Sequence, residues 1–221
     1  MPVTATHIVT LHDGVARTSY TTASITPSAN QLVLAFIFNR AATGSVNTVP
    51  TLSGNGLTWV EIANVQSSFA GQTASLFRAL GSPSAGVVTI DFNAVSQDRC
   101  GWSINEFNNV DRTGTNGSGA VVQSVTGLNE ADNSGITLTL AAFSSVNNAT
   151  YGGVRSGLTA TPGTGFTELG EDVNGVEETE WRNDNDTSVD WTWTNNTGDA
   201  LAIAIEIKFV PPGAGGGFYL S

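Results

Sequence analysis

Nine of the chain's 19 carboxylates fall in the 23 residues from Glu168 to Asp190: Glu168, Glu171, Asp172, Glu177, Glu178, Glu180, Asp184, Asp186 and Asp190. At that density carboxylates can hold a hard cation, work in catalytic pairs, or line a solvated rim. Calcium wants six to eight oxygens, and Asp184-Asn185-Asp186 is the best local candidate for supplying them. The run lacks the glycine at position six and the glutamate at position twelve of a calcium loop, so Asp184 and Asp186 are weak metal candidates and no cofactor is expected. Glycoside hydrolysis needs two carboxyls a fixed distance apart across a cleft. Glu106 and Glu206 are matched in position, beside apolar neighbours. Their recurrence points to a structural task shared by both places, such as bonding to Arg78 and Arg182. The expectation for the acidic run is a solvated rim.

The remaining reactive groups are sparse. His7 and His12 are the only histidines, with Asp13 beside them, and the chain has no G-x-S-x-G elbow to supply a nucleophile. Two histidines without clustered cysteines make a poor zinc site. Cys100, the one cysteine, excludes an intrachain disulfide and reads as a small buried hydrophobe. Trp191 and Trp193 share a strand face and would suit a sugar-stacking platform, but Val189 shares that face too, which favours core. Trp59 follows Gly-Asn-Gly-Leu-Thr and is expected at a strand start near a rim.

Charge narrows the partners. The net charge is −11. Up to Gly117 five arginines face six Asp/Glu; from Ser118 onward three Lys/Arg face 13 Asp/Glu. Nucleic acid and acidic membrane surfaces are unsuitable partners, because both require clustered Lys/Arg. The start has neither a basic n-region nor a long apolar h-region, so no secretory leader is read there. No apolar run reaches transmembrane length.

The elements that must position these groups are strands. Short runs of β-formers alternate with Gly, Asn, Ser, Thr and Pro clusters, the pattern of a sandwich or barrel. Strands are expected at 5–11, 18–26, 31–39, 57–65, 73–80, 86–92 and 100–107, then at 119–126, 135–143, 149–155, 166–171, 176–182, 187–194 and 200–209. Val88, Ile90 and Phe92 alternate with polar residues, as do Val189, Trp191 and Trp193, the period of a half-buried strand. The strand 32–38 is apolar on both faces and is expected at a sheet centre, as is 149–155, weakened by Gly152 and Gly153.

The chain also says one thing twice. Gly54-Asn55-Gly56-Leu57-Thr58-Trp59 answers to Gly163-Thr164-Gly165-Phe166-Thr167-Glu168, Leu76-Phe77-Arg78-Ala79 to Glu180-Trp181-Arg182-Asn183, and Trp102 to Phe107 to Ala202 to Ile207. The offset drifts from 109 to 104 to 100 while the order is kept. Repeated strand units must bury their apolar faces together. The expectation is an all-β antiparallel sandwich, jelly-roll-like, with an internal two-fold repeat. One domain spans 1–210, with repeats at about 18–107 and 118–209, joined by the loop 108–118. Seven strands per repeat suggest two facing sheets with strands of both repeats in each. Residues 211–221 form a Gly/Pro-rich arm. Ordering such a segment has a high entropic cost, so Phe218, Tyr219 and Leu220 are expected to anchor it, on a neighbouring subunit or, alternatively, back on its own sandwich.

Gly54 to Glu61, Leu76 to Gly81, Val88 to Phe92 and Gly101-Trp102-Ser103-Ile104-Asn105-Glu106-Phe107 together resemble β-sandwich modules of tailed-phage virion proteins and similar bacterial surface modules. The resemblance covers about residues 20–209. It implies a displayed, non-enzymatic structural protein, such as a capsid decoration, head-fibre or tail component. Such a protein would be assembled in the host cytoplasm, located on the virion, and held by contacts with its own copies or other virion proteins. The alternative is a carbohydrate-binding or adhesin module, extracellular or on a cell surface, recognising glycans.

Overall fold

The computed structural model describes residues 2–68, 71–131, 134–172, 174, 177–194 and 199–211. The first half carries β1 (Thr4–Asp13), β2 (Ser19–Thr21), β3 (Leu32–Ala41), β4 (Thr51–Gly54), β5 (Val60–Gln66), β6 (Gln72–Ala79), β7 (Val88–Asp91) and β8 (Gln97–Asn108). The second carries β9 (Val121–Asn129), β10 (Gly135–Thr139), β11 (Ala149–Arg155), β12 (Thr161–Pro162), β13 (Thr167–Asp172), β14 (Glu177–Arg182), β15 (Ser188–Thr192) and β16 (Ala200–Ile207). A single 3-10 turn, Ser118–Ala120, is the only helical element among the described residues. The fold is all-β and antiparallel throughout, as the alternation predicts.

Each half forms one five-stranded and one three-stranded sheet. The orders are β1-β8-β3-β6-β5 with β2-β7-β4, and β9-β16-β11-β14-β13 with β10-β15-β12. The two halves thus have the same strand order. Within a half the pairs are nested, first strand with eighth, second with seventh, third with sixth, the arrangement of a jelly roll. β3 and β11 hold the sheet centres, as their apolar sequences require.

The sheets stack in four layers, and here the sequence expectation is corrected: no sheet mixes strands of the two halves. One core lies between β3, β8 and the small sheet of the first half, built on Val33, Ile37, Ile90, Phe92 and Trp102. A second lies between β11, β16 and the small sheet of the second half, built on Val154, Val189, Trp191 and Ala202. The third joins the two five-stranded sheets face to face, Leu34, Phe36 and Leu76 against Tyr151, Ile203 and Ile205. The reason is a strand count of eight per half. β4 and β12, too short to stand out in the sequence, complete each small sheet, so each half closes its own core and presents its large sheet's other face to its twin.

Side-chain size enforces this order of layers. In β16 every residue is buried, with Ala200, Ala202 and Ala204 toward the outer sheet and Leu201, Ile203, Ile205 and Ile207 toward the seam between halves. The small face leaves room for the Trp191 ring. Gly152 and Gly153 in β11 do the same on opposite faces: a Cβ would lie 2.6 Å from Trp191 at Gly152 and 2.5 Å from Phe36 at Gly153. The glycines that weaken the strand's sequence signal are where large rings enter. The joint 108–118 is likewise structural: Asp111 is buried and paired with Lys208 at 2.7 Å.

The Gly54-Asn55-Gly56 turn is held by left-handed backbone, with φ of 105°, 57° and 70°. Asn55 Nδ2 donates to the carbonyls of Ile25 and Ser84, pinning two neighbouring loops.

Candidate functional site

β14 carries the centre of the acidic run, and the structure overturns the expected solvated rim there. Glu177, Glu178 and Glu180 are all 0–1% exposed. β14 lies between β13 and β11 with a layer on each side, so both of its faces are interior. Alternation sends Glu178 and Glu180 toward the outer sheet, and Glu177 and Thr179 toward the seam.

On the outer-sheet side, Glu180 Oε2 accepts the Gly163 N–H at 2.9 Å. Burial, with Asp190 adding repulsion, pushes its carboxyl up to about 8. Burial also drives Glu178 well above the usual carboxylate range, with Glu180 and Glu168 adding to it. The Trp191 indole lies near enough to favour the charged form, yet neither Glu178 oxygen has a hydrogen bond in place. Desolvation of an ion without a partner is the dominant cost here, and the group relieves it by keeping its proton. Glu180 therefore keeps its proton through most of the neutral range, and Glu178 is shifted in the same direction. Two carboxyls on one strand face have the chemistry of an acid–base pair, but both are fully buried.

On the seam side, Glu177 packs over Gly101 of β8, and its Oε1 lies 3.6 Å from His12 Nδ1. A bulge at Ile8 shifts the register of β1. It brings His7, Thr10 and His12 all onto the face toward the second half. His7 Nδ1 lies 3.0 Å from Asn105 Oδ1, and Thr10 donates to Ser103 at 3.0 Å. Ser103 Oγ is 2.9 Å from Thr179 Oγ1. The histidines thus join a polar network across the seam, which sequence reading missed. A bulge has no signature in this sequence, so the parity of His12 could not be read from it.

The metal candidates Asp184 and Asp186 close on Arg182, at 2.7 Å to Nε and Nη1. The guanidinium already supplies the positive charge a cation would bring. Among the described residues no three His, Cys, Asp or Glu side chains are grouped to hold a metal ion.

Glu106 and Glu206 do not meet the arginines proposed for them. Glu106 accepts the Ser28 N–H and hydroxyl, and Glu206 accepts Asn148 and Gln123 amides. Each ties down the chain just before the central strand of its sheet. Arg182 also differs from the sequence match by one residue. Val33 faces both Glu106 and Ala79, while Thr150 faces both Glu206 and Arg182. Arg182 stands where Ala79 does, and Arg78 lies on the opposite face.

Trp191 and Trp193 are 1% and 5% exposed and belong to the core, as Val189's company implies. Trp59 packs half-buried against the first half's core. Cys100 is fully buried, and burial, with Glu177 and Asp13, raises its thiol well above its ordinary value. Phe218, Tyr219 and Leu220 lie outside the described residues. No described helix is long and apolar enough to cross a membrane.

Comparison of the chain with protein-family models, with curated proteins and with solved structures finds no match.

Proposed function

We propose that this chain is a non-enzymatic structural module of a displayed assembly, with a tailed-phage particle as the setting that its sequence resemblance suggests. One observation carries the reading: the residue types able to do chemistry are spent on holding the fold. Asp184 and Asp186 neutralise Arg182, and Glu106 and Glu206 anchor strand entries. Glu178 and Glu180 are enclosed between layers. Four stacked sheets with three separate cores make a stiff spacer of the kind a displayed protein requires. The glycan-platform alternative loses its main support with the burial of Trp191 and Trp193.

The test has two arms. The full chain is compared with a chain ending at Pro211 by sedimentation velocity, and both are incubated with a panel of chromogenic glycosides. The reading expects self-association in the full chain only, and no turnover in either. Turnover that disappears in Glu178→Gln or Glu180→Gln overturns the non-enzymatic part. A full chain that stays monomeric at high concentration overturns self-assembly through residues 212–221.

A further inference from the structure

Three of the chain's eight cationic side chains gather at one end of the seam between the halves. Arg40 of β3 stands directly opposite Arg99 of β8. Both share the face of Phe36, Phe38 and Gly101, which is turned to the second half. From the other side Arg155, the last residue of β11, places its guanidinium 5.0 Å from the centre of the Phe38 ring. Phe38 precedes Arg40 by two residues on the same face, about 7 Å along the strand. The stacked ring and a hydrogen bond to the Asp199 carbonyl at 3.1 Å fix the direction of Arg155.

This gathering has a cost. Like charges directly opposite on neighbouring strands destabilise a sheet. Arg155 keeps a buried Nε without a hydrogen bond, and burial lowers its guanidinium to about 10 against the attraction of Glu177 and Asp199, with Arg99 and Arg40 adding a smaller lowering. The neighbouring acids offset this only in part: Glu177 and Asp199 attract Arg155, but neither gives its carboxylate to the guanidinium. Asp98 reaches only 3.9 Å from Arg40. Asp199 gives its carboxylate to Ser67 and Gln72. Glu177, opposite Arg155 on β14, is buried beside His12, and burial raises its pKa. Among the described residues Arg99 has no ion pair or hydrogen bond from its side chain. Arg40 is 43% exposed, so the cluster is open to solvent.

We propose that Arg40, Arg99 and Arg155 form a receptor for an oxyanion group (sulfate, phosphate or carboxylate) at the open end of the seam between the halves. Planar guanidinium forks match such groups in geometry, each offering paired donors. A chain of net charge −11 repels anions in general, so binding here must be local, and it would relieve the Arg40–Arg99 repulsion.

The test is a thermal melt of the full chain in sulfate, phosphate or glucuronate, each against chloride at equal ionic strength. A specific site raises Tm by about 3–5 °C at ten times Kd, and the anion giving the largest rise identifies the group. Arg99→Gln should melt in chloride at or above the wild-type Tm, because a repulsion is gone, and should lose the anion-specific rise. Arg40→Gln, altering a more exposed side chain, should behave alike, with calorimetric affinity at least about tenfold weaker. No rise beyond chloride for any of the three anions overturns the proposal, and so does a full rise retained in both variants.

Discussion

The carboxylate of Glu177 occupies the space that a side chain on Gly101 would need. Gly101 is thus a glycine of clearance and not of backbone freedom, since its φ is not positive. Gly101→Ala should overpack the seam and cost about 1–3 kcal/mol, read as a lower urea midpoint. The double variant Gly101→Ala/Glu177→Ala should recover part of that loss. A single variant as stable as the wild type would show that the seam is looser than described.

Stability should fall as pH rises through the neutral range. Folded Glu180 keeps its proton up to about pH 8, whereas an unfolded glutamate loses it near 4.5. Between those values the unfolded chain binds fewer protons. The stabilisation is complete below about 4.5 and is lost as pH climbs to about 8, at up to about 1.4 kcal/mol per pH unit. Glu180→Gln, which keeps an acceptor for Gly163, should flatten the Tm profile between pH 5 and 8. An unchanged slope would remove Glu180 as its source.

Asp111 behaves in the opposite sense. Burial alone would raise its pKa, but hydrogen bonds from Lys208 and Thr113 prevail and hold it at about 2. Its contribution is present above about pH 4 and fades as pH falls to about 2. Asp111→Asn should cost about 1–2 kcal/mol. Lys208→Met should cost less than about 1 kcal/mol, because the lysine is half exposed. Chemical denaturation at pH 7 and at pH 3 separates the two.

Trp191→Ala should cost about 3–5 kcal/mol, since the ring fills the gap over Gly152 and the alanine face of β16. Calorimetry should show that loss without any change in the association of the full chain.

All the strands expected from alternation are present, because a half-buried strand must alternate. The two missing ones, β4 and β12, are four and two residues long, too short for a period to show. The burial of Glu177 to Glu180 was hidden for a different reason. Composition marks acids as surface residues, while topology alone decides that β14 lies second from an edge between two layers. The Arg40–Arg99 pairing depends on the register of strands 59 residues apart in sequence, which no local pattern encodes.

The double-faced burial of the large sheets also says what half of this molecule would be. Separated from its twin, the first half would show Leu34, Phe36 and Leu76 to water across an entire sheet. Two copies of such a fragment would have one obvious cover for that surface, each other. The covalent chain holds two sheets of the same strand order that differ in side chains, one with alanine and phenylalanine at positions where the other carries Glu177 and Glu180. Because both faces of the seam belong to one chain, they need not be alike, and arginines from its two sides can meet at one end of it.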